Sequence, residues 1–172
     1  MLKTILTILA VFTSSQVLAI TKQLDVIGLI PDVATEEDFE RSEKGPYGTT
    51  TIIGGYQMIC IPSYIDSHLS QLYCVFGDSS LSPSSNEAIY ATLKKGFTQK
   101  FGVPKTTNSV TSNLMGTKFQ KQEVVWKDQK GNELSITNRF AKINEGLLLL
   151  NSAKQIKADK EKAKIEEKSR KF

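Results

Sequence analysis

Residues 49–77 read TTTIIGGYQMICIPSYIDSHLSQLYCVFG. Two apolar runs rich in Ile, Tyr and Val flank a polar centre, Ser63 to His68, which is the composition of two strands and a turn. Gly54-Gly55 interrupt the first run, as a bulge would. The only two cysteines of the chain, Cys60 and Cys74, fall one on each run. Setting them opposite one another in an antiparallel pair puts Met58 across from Phe76 and Pro62 across from Leu72. Period-two alternation then gathers Met58, Cys60, Leu72, Cys74 and Phe76 on one face, and that face is apolar throughout. The register that a disulfide requires is thus also the register that burial requires. The other face carries Ile59, Ile61 and Val75, with Tyr56, Tyr64 and Tyr73 on or beside the hairpin. Such a face is either covered core or an exposed surface for a partner, and the three tyrosines are the candidate binding residues.

Outward from the hairpin, residues 23–30 (QLDVIGLI) suggest a short first strand or an extended lead-in that ends at Pro31. Thr35 followed by Glu36, Glu37 and Asp38 suits the start of a short helix reaching about Ser42, and 43–48 (EKGPYG) reads as a turn. Beyond a polar loop at 78–85, Ile89, Leu93, Phe97 and Phe101 recur every four residues and predict a helix over 85–101. Ser84 and Glu87 have the spacing of a capping box, and Gly102 and Pro104 end the helix. Gly96 beside the apolar stripe suggests close approach to a sheet. Residues 105–118, rich in Thr, Ser, Asn and Gly, read as a loop, either a connector or a binding segment. Strands at 122–127 and 133–140 flank the turn DQKGN. With Trp126 opposite Leu134, the buried face holds Val124, Trp126, Leu134, Ile136 and Phe140. Glu133, Ser135, Thr137 and Arg139 take the polar face. The leucines at 147–150 imply burial on both sides and a central place in the sheet. The expected fold is a single α+β domain over 20–151: an antiparallel sheet with one main amphipathic helix on one face and a short N-terminal helix.

Residues 152–172 differ in composition. They hold eight of the 22 basic and four of the 18 acidic residues of the 172-residue chain, so its positive excess belongs to this tail. Strong helix formers and opposite charges at helical spacing predict a charged, partly helical, solvated extension suited to weak contact with anionic surfaces. It lacks the interleaved aromatics of a single-strand nucleic-acid binder, and no nucleic-acid partner is expected. At the other end, residues 1–19 (MLKTILTILAVFTSSQVLA) combine Lys3, a short apolar run and small residues before Ala19. That is the pattern of a signal peptide cleaved after Ala19. It implies a periplasmic or secreted protein, no transmembrane segment in the mature chain, and an oxidising compartment in which Cys60 and Cys74 close. A bridge spanning so short a loop contributes about 3 kcal/mol in the chain-entropy model.

Few residues are suited to catalysis. His68 is the only histidine and stands with Asp66 and Ser67 in a turn. A small hydrolase would have to use His68 with Asp66, or a carboxylate pair among Glu36, Glu37, Asp38 and Glu40. No glycine-flanked serine elbow, phosphate loop, calcium loop or metal-ligand set occurs, so neither a metal nor a cofactor is expected. The leading expectation is a non-enzymatic exported binding or accessory protein whose partner is another protein or component of the cell envelope. The alternatives are the hydrolase and an anionic-surface binder acting through the tail.

The segment GFTQKFGVP (96–104), then VVWKD (124–128), GNELSI (131–136) and the leucine run, together with the opening VIGLIP (26–31), resemble an arrangement in small exported bacterial proteins. There an amphipathic helix ends at glycine–x–proline, and an antiparallel meander bearing a tryptophan follows. The likeness covers about residues 25–151 and is similar to the helix-on-sheet layer of β-lactamase-inhibitor-like and small outer-membrane-assembly proteins. It implies an exported α+β layer and carries over no functional residues.

Overall fold

The computed structural model describes residues 22–42, 44, 50–77, 83–114, 117–139 and 145–170. The expected signal segment at 1–19, the 43–48 turn apart from Lys44, most of the 78–85 loop, the capping side chain of Ser84 and the core position of Phe140 lie outside the described residues.

Gly54 and Gly55 both take positive φ, +60° and +85°, and form a two-residue turn rather than a bulge. Such a turn matches the right-handed twist of the strands it joins. It splits the first apolar run into β1 (Thr51–Ile53) and β2 (Tyr56–Ile65). Asp66 and Ser67, at φ +52° and +64°, repeat the device, so His68 opens β3 (His68–Phe76) instead of lying in the turn. Cys60 pairs with Cys74 and Pro62 with Leu72, as expected, and a register shift falls between Ser63 and Tyr64. The two sulfurs are bonded.

The 23–30 stretch is no strand. Val26 and Leu29 exchange backbone hydrogen bonds of 3.2 and 2.9 Å around a tight turn at Ile27-Gly28, and Leu24, Val26 and Leu29 are buried. Helix α1 (Glu36–Glu40) follows behind a capping box made by Thr35 and Asp38, and it buries Phe39. Helix α2 (Pro83–Phe101) carries Ile89, Leu93 and Phe97 into the core. Gly102 ends it at φ +86°, and the Trp126 indole N–H donates to the Gly102 carbonyl at 2.9 Å. The Phe97 ring meets Trp126 edge-on at 5.8 Å. Full burial of each such side chain stabilises the fold by about 1.5–3 kcal/mol. Gly96 owes nothing to packing. A Cβ added there meets no atom within 4 Å, and nothing in the structure explains this glycine.

Residues 105–118 are not a loop. They hold β4 (Thr106–Leu114) and the start of β5 (Thr117–Lys127), which pair antiparallel from Thr106–Val125 to Leu114–Thr117. Residues 105–111 are exposed, so the strand lacks the apolar alternation by which a half-buried strand is read. Strands β6 (Glu133–Thr137) and β7 (Gly146–Asn151) and helix α3 (Ala153–Ser169) complete the chain. All strand pairs are antiparallel, in the order β1-β2-β3-β7-β6-β5-β4. The fold is α+β. The last strand made thus stands in the middle, as its leucines imply, but it is buried on one side only: Leu148 and Leu150 are fully buried while Leu147 and Leu149 are half-buried. Gly146 is a position of close approach, where a Cβ would overlap the Phe76 ring and the Thr137 carbonyl oxygen.

A polar junction ties three distant segments together. The Asp128 carboxylate accepts from the backbone amides of Leu24, Lys130 and Asn132 and from the Asn132 side chain. Asn132, fully buried, accepts in turn from the Ala153 amide at 2.9 Å, which fixes where α3 begins. Ser152 caps that helix. No α3 residue is buried.

Candidate functional site

The sheet divides the molecule into two faces of different chemistry. On the α2 side, Met58, Leu72, Cys74, Phe76, Leu134, Ile136, Leu148, Leu150, Val124 and Trp126 form the core. On the other side the registers align two rows across the strands. One runs Ile61, Tyr73, Leu149, Ser135, Val125, and the next runs Ile59, Val75, Leu147, Thr137, Glu123. The rows are apolar over β2, β3 and β7 and turn polar at β6, with Val125 and Glu123 beyond it on β5. Ile59 and Ile61 remain 60% and 57% exposed, so among the described residues neither α1 nor the segment that precedes it covers them. The half-buried Tyr73 sits in the middle of this patch. Its hydroxyl is held neutral above the ordinary tyrosine range, by burial first and then by the charge of Glu145.

The three candidate tyrosines do not share a surface. The Tyr56 hydroxyl bonds Thr92 of α2 at 3.3 Å, so Tyr56 belongs to the helix side. Tyr64 also packs on the core, beside α1, and its hydroxyl is buried without a hydrogen-bond partner. Burial, then Glu36, Glu40 and Asp38, push its pKa up. Tyr73 alone lies with Ile59 and Ile61.

The hydrolase candidates are likewise separated. His68 is exposed, and its Nδ1 lies 2.7 Å from the backbone carbonyl of Asp66, not from the carboxylate. That carboxylate pairs with Lys154 at 3.5 Å. Glu37 pairs with Arg41 at 2.5 Å. Asp38 is engaged in the α1 cap, where the Thr35 amide and hydroxyl hold its carboxyl below the usual range. Among the described residues no group of three or more His, Cys, Asp or Glu side chains is placed to hold a metal ion. No described helix is long and apolar enough to cross a membrane.

A concavity lies on the α2 side. The inner row of β5 reads Gln120, Gln122, Val124, Trp126. Its apolar half grips the C-terminal end of α2 through Trp126. Its polar half meets the N-terminal end through Asn138, whose side chain bonds the Gln120 carbonyl and the Gln122 amide at 3.1 and 2.7 Å. Asn86 donates to the Asn138 carbonyl, and Arg139 pairs with Glu87. Arg139, expected on a polar exposed face, is therefore buried. Between these two ties, the flank of α2 overhangs a cleft of about 560 Å³ floored by Gln120, Gln122 and Asn138. The spacing of Glu87, Ala91, Lys94 and Thr98 marks that flank in the sequence. Alternation back from Val124 and Trp126 puts Gln122 and Gln120 on the inner side of this strand, a signal the sequence holds but that a strand read from 122 leaves undeveloped. No family model matches the chain, and no curated protein or solved structure matches it.

Proposed function

We propose that the protein is an exported, non-enzymatic binding protein of the bacterial cell envelope that docks another envelope protein through the outer face of its sheet. The observation that carries this reading is the exposure of Ile59 and Ile61 at 60% and 57%, continuous with Tyr73, Val75, Leu147 and Leu149 across three strands. Contiguous apolar surface of this kind is unfavourable in water, and partner sites are the usual reason for it. The cross-strand disulfide supports the compartment, since such bridges persist where thiols are not kept reduced. The N-terminal stretch supports export with cleavage after Ala19.

Photo-crosslinking in intact cells tests the reading. A photoreactive residue at position 61 is expected to give a discrete protein adduct that the same residue at the exposed Val103 does not give. The adduct is expected to disappear in an Ile59→Asp variant, whose unfolding free energy should stay within about 0.5 kcal/mol of the parent because the site is on the surface. A cell-envelope fraction that holds the mature, oxidised protein without any adduct from position 61 would overturn it.

A further inference from the structure

The two edges of the sheet differ in what they offer another strand. β1, at one end, is three residues long, and Lys44 bridges Thr51 on its free side. So short and partly covered an edge gives a foreign strand little to pair with. β4, at the other end, is nine residues long and runs beside β5 without a register shift. Among the described residues no strand lies beyond it. From Thr106 to Leu114 it holds no charged residue and no proline, so it lacks the devices that usually blunt an open edge. Its polar side chains do not replace them. Asn108 donates to Glu123 at 3.3 Å and Ser109 accepts from Gln120 at 2.7 Å, both on β5. What this edge presents is its backbone, with Val110 58% exposed at the middle of the strand.

We propose that β4 pairs antiparallel with β4 of a second copy of this chain, about a two-fold axis at Val110. A strand added to an edge gains affinity from main-chain hydrogen bonds, while pockets for its alternate side chains select a foreign strand. Here Thr107, Asn108, Ser109 and Val110, with Lys121 and Glu123, line one open trough in place of separate pockets. A copy of the same strand needs no such selection. Centring on Val110 is the register that pairs every residue of β4 with a counterpart. It sets no like charges directly opposite one another. Lys121 lies beside Val110 in each copy, so the two lysines stand three strand spacings apart. That is about 14 Å, beyond the screening length of ~8 Å at physiological ionic strength. Because a single edge is long and open, the pairing closes at a dimer and does not propagate.

Sedimentation of the mature protein between about 1 and 500 μM, a span from moderate to weak dimer affinities, tests this. A monomer–dimer equilibrium is expected. Ile59→Asp is expected to leave it unchanged, because that residue lies on β2, away from this edge. Val110→Lys and Val110→Glu, which set like charges opposite one another, are each expected to weaken the dimer about two- to fivefold. An equal mixture of the two variants is expected to pair at least as well as the parent, a repair that no general disturbance of the strand would show. Val110→Cys should give a disulfide-linked dimer on mild oxidation, and Val103→Cys, exposed but outside the strand, should not. The proposal is overturned if the parent stays monomeric over the whole range, if either charged variant dimerises like the parent, or if mixing restores nothing. It is equally overturned if Ile59→Asp abolishes the dimer, or if Val103→Cys crosslinks as readily as Val110→Cys.

Discussion

A single methyl group separates two glycines of this chain. Added at Gly146, it would run into the Phe76 ring and the Thr137 carbonyl, so Gly146→Ala is expected to destabilise the fold by about 1–3 kcal/mol. Added at Gly96, it enters open space in mid-helix, and Gly96→Ala is expected to stabilise by about 1 kcal/mol. Urea titrations of the two variants should move in opposite directions. Sequence reading attaches the packing role to Gly96, because that residue sits beside a visible stripe. The partners of Gly146 are brought in by other strands, and no local pattern shows them. Asn132 is hidden for the same reason. As part of DQKGN it reads as a turn residue, yet it is buried and links the β5–β6 turn to α3. Asn132→Ala would leave the Ala153 amide without its partner, and a loss of about 1–3 kcal/mol is expected in the same titration. Asp38 sets a pH dependence. Its folded-state pKa is lowered by its bonds to Thr35, so the stability it confers is fully present above the ordinary carboxyl value. That stability is lost as pH falls through the lowered one. An Asp38→Asn variant should therefore show a flatter dependence of the unfolding midpoint on pH over that acidic window. An unchanged slope would count against the cap.

Among the sheet strands and the core helix, alternation or a stripe set by one buried face is what the sequence makes legible, and strand β4 lacks it. The period-four stripe of α2 and the alternation of β3 and β6 follow directly from the core they build. Strand β4 has no such alternation, because it stands at the sheet edge with residues 105–111 exposed. Its remaining signal is the run of β-branched Thr106, Thr107, Val110 and Thr111, which composition alone does not separate from a polar loop. Hydrogen exchange makes the contrast measurable. Amides of β7, enclosed between β3 and β6, are expected to exchange far more slowly than those of β4. Helix α3 was legible as a charged helical extension, and it contributes no buried residue. Truncation after Ala153 keeps the bond to Asn132, and the unfolding free energy should change by no more than about 0.5 kcal/mol. A substantially larger loss would mean that α3 packs on the body.

For the molecule as a whole, the disulfide and the sheet order carry different kinds of information. Two cysteines and one alternating pattern sufficed to set the β2–β3 register, because both constraints are local to one hairpin. Replacing Cys60 and Cys74 together by serine is expected to lower stability by about 3 kcal/mol. Thiol counting on the denatured parent should find none before reduction and two after it. Which strands flank β7 was beyond sequence reasoning, since those borders join segments far apart in the chain. Their arrangement has a consequence for biosynthesis. The sheet is laid down from its margins inward, so a nascent chain has β1–β3 and β4–β6 as two three-stranded ribbons, each with a bare inner border, until Gly146–Asn151 leaves the ribosome. One late segment then seals both borders at once. Translation that stops short of it yields no smaller working version of the domain, only a pair of adhesive halves for quality-control proteases to clear.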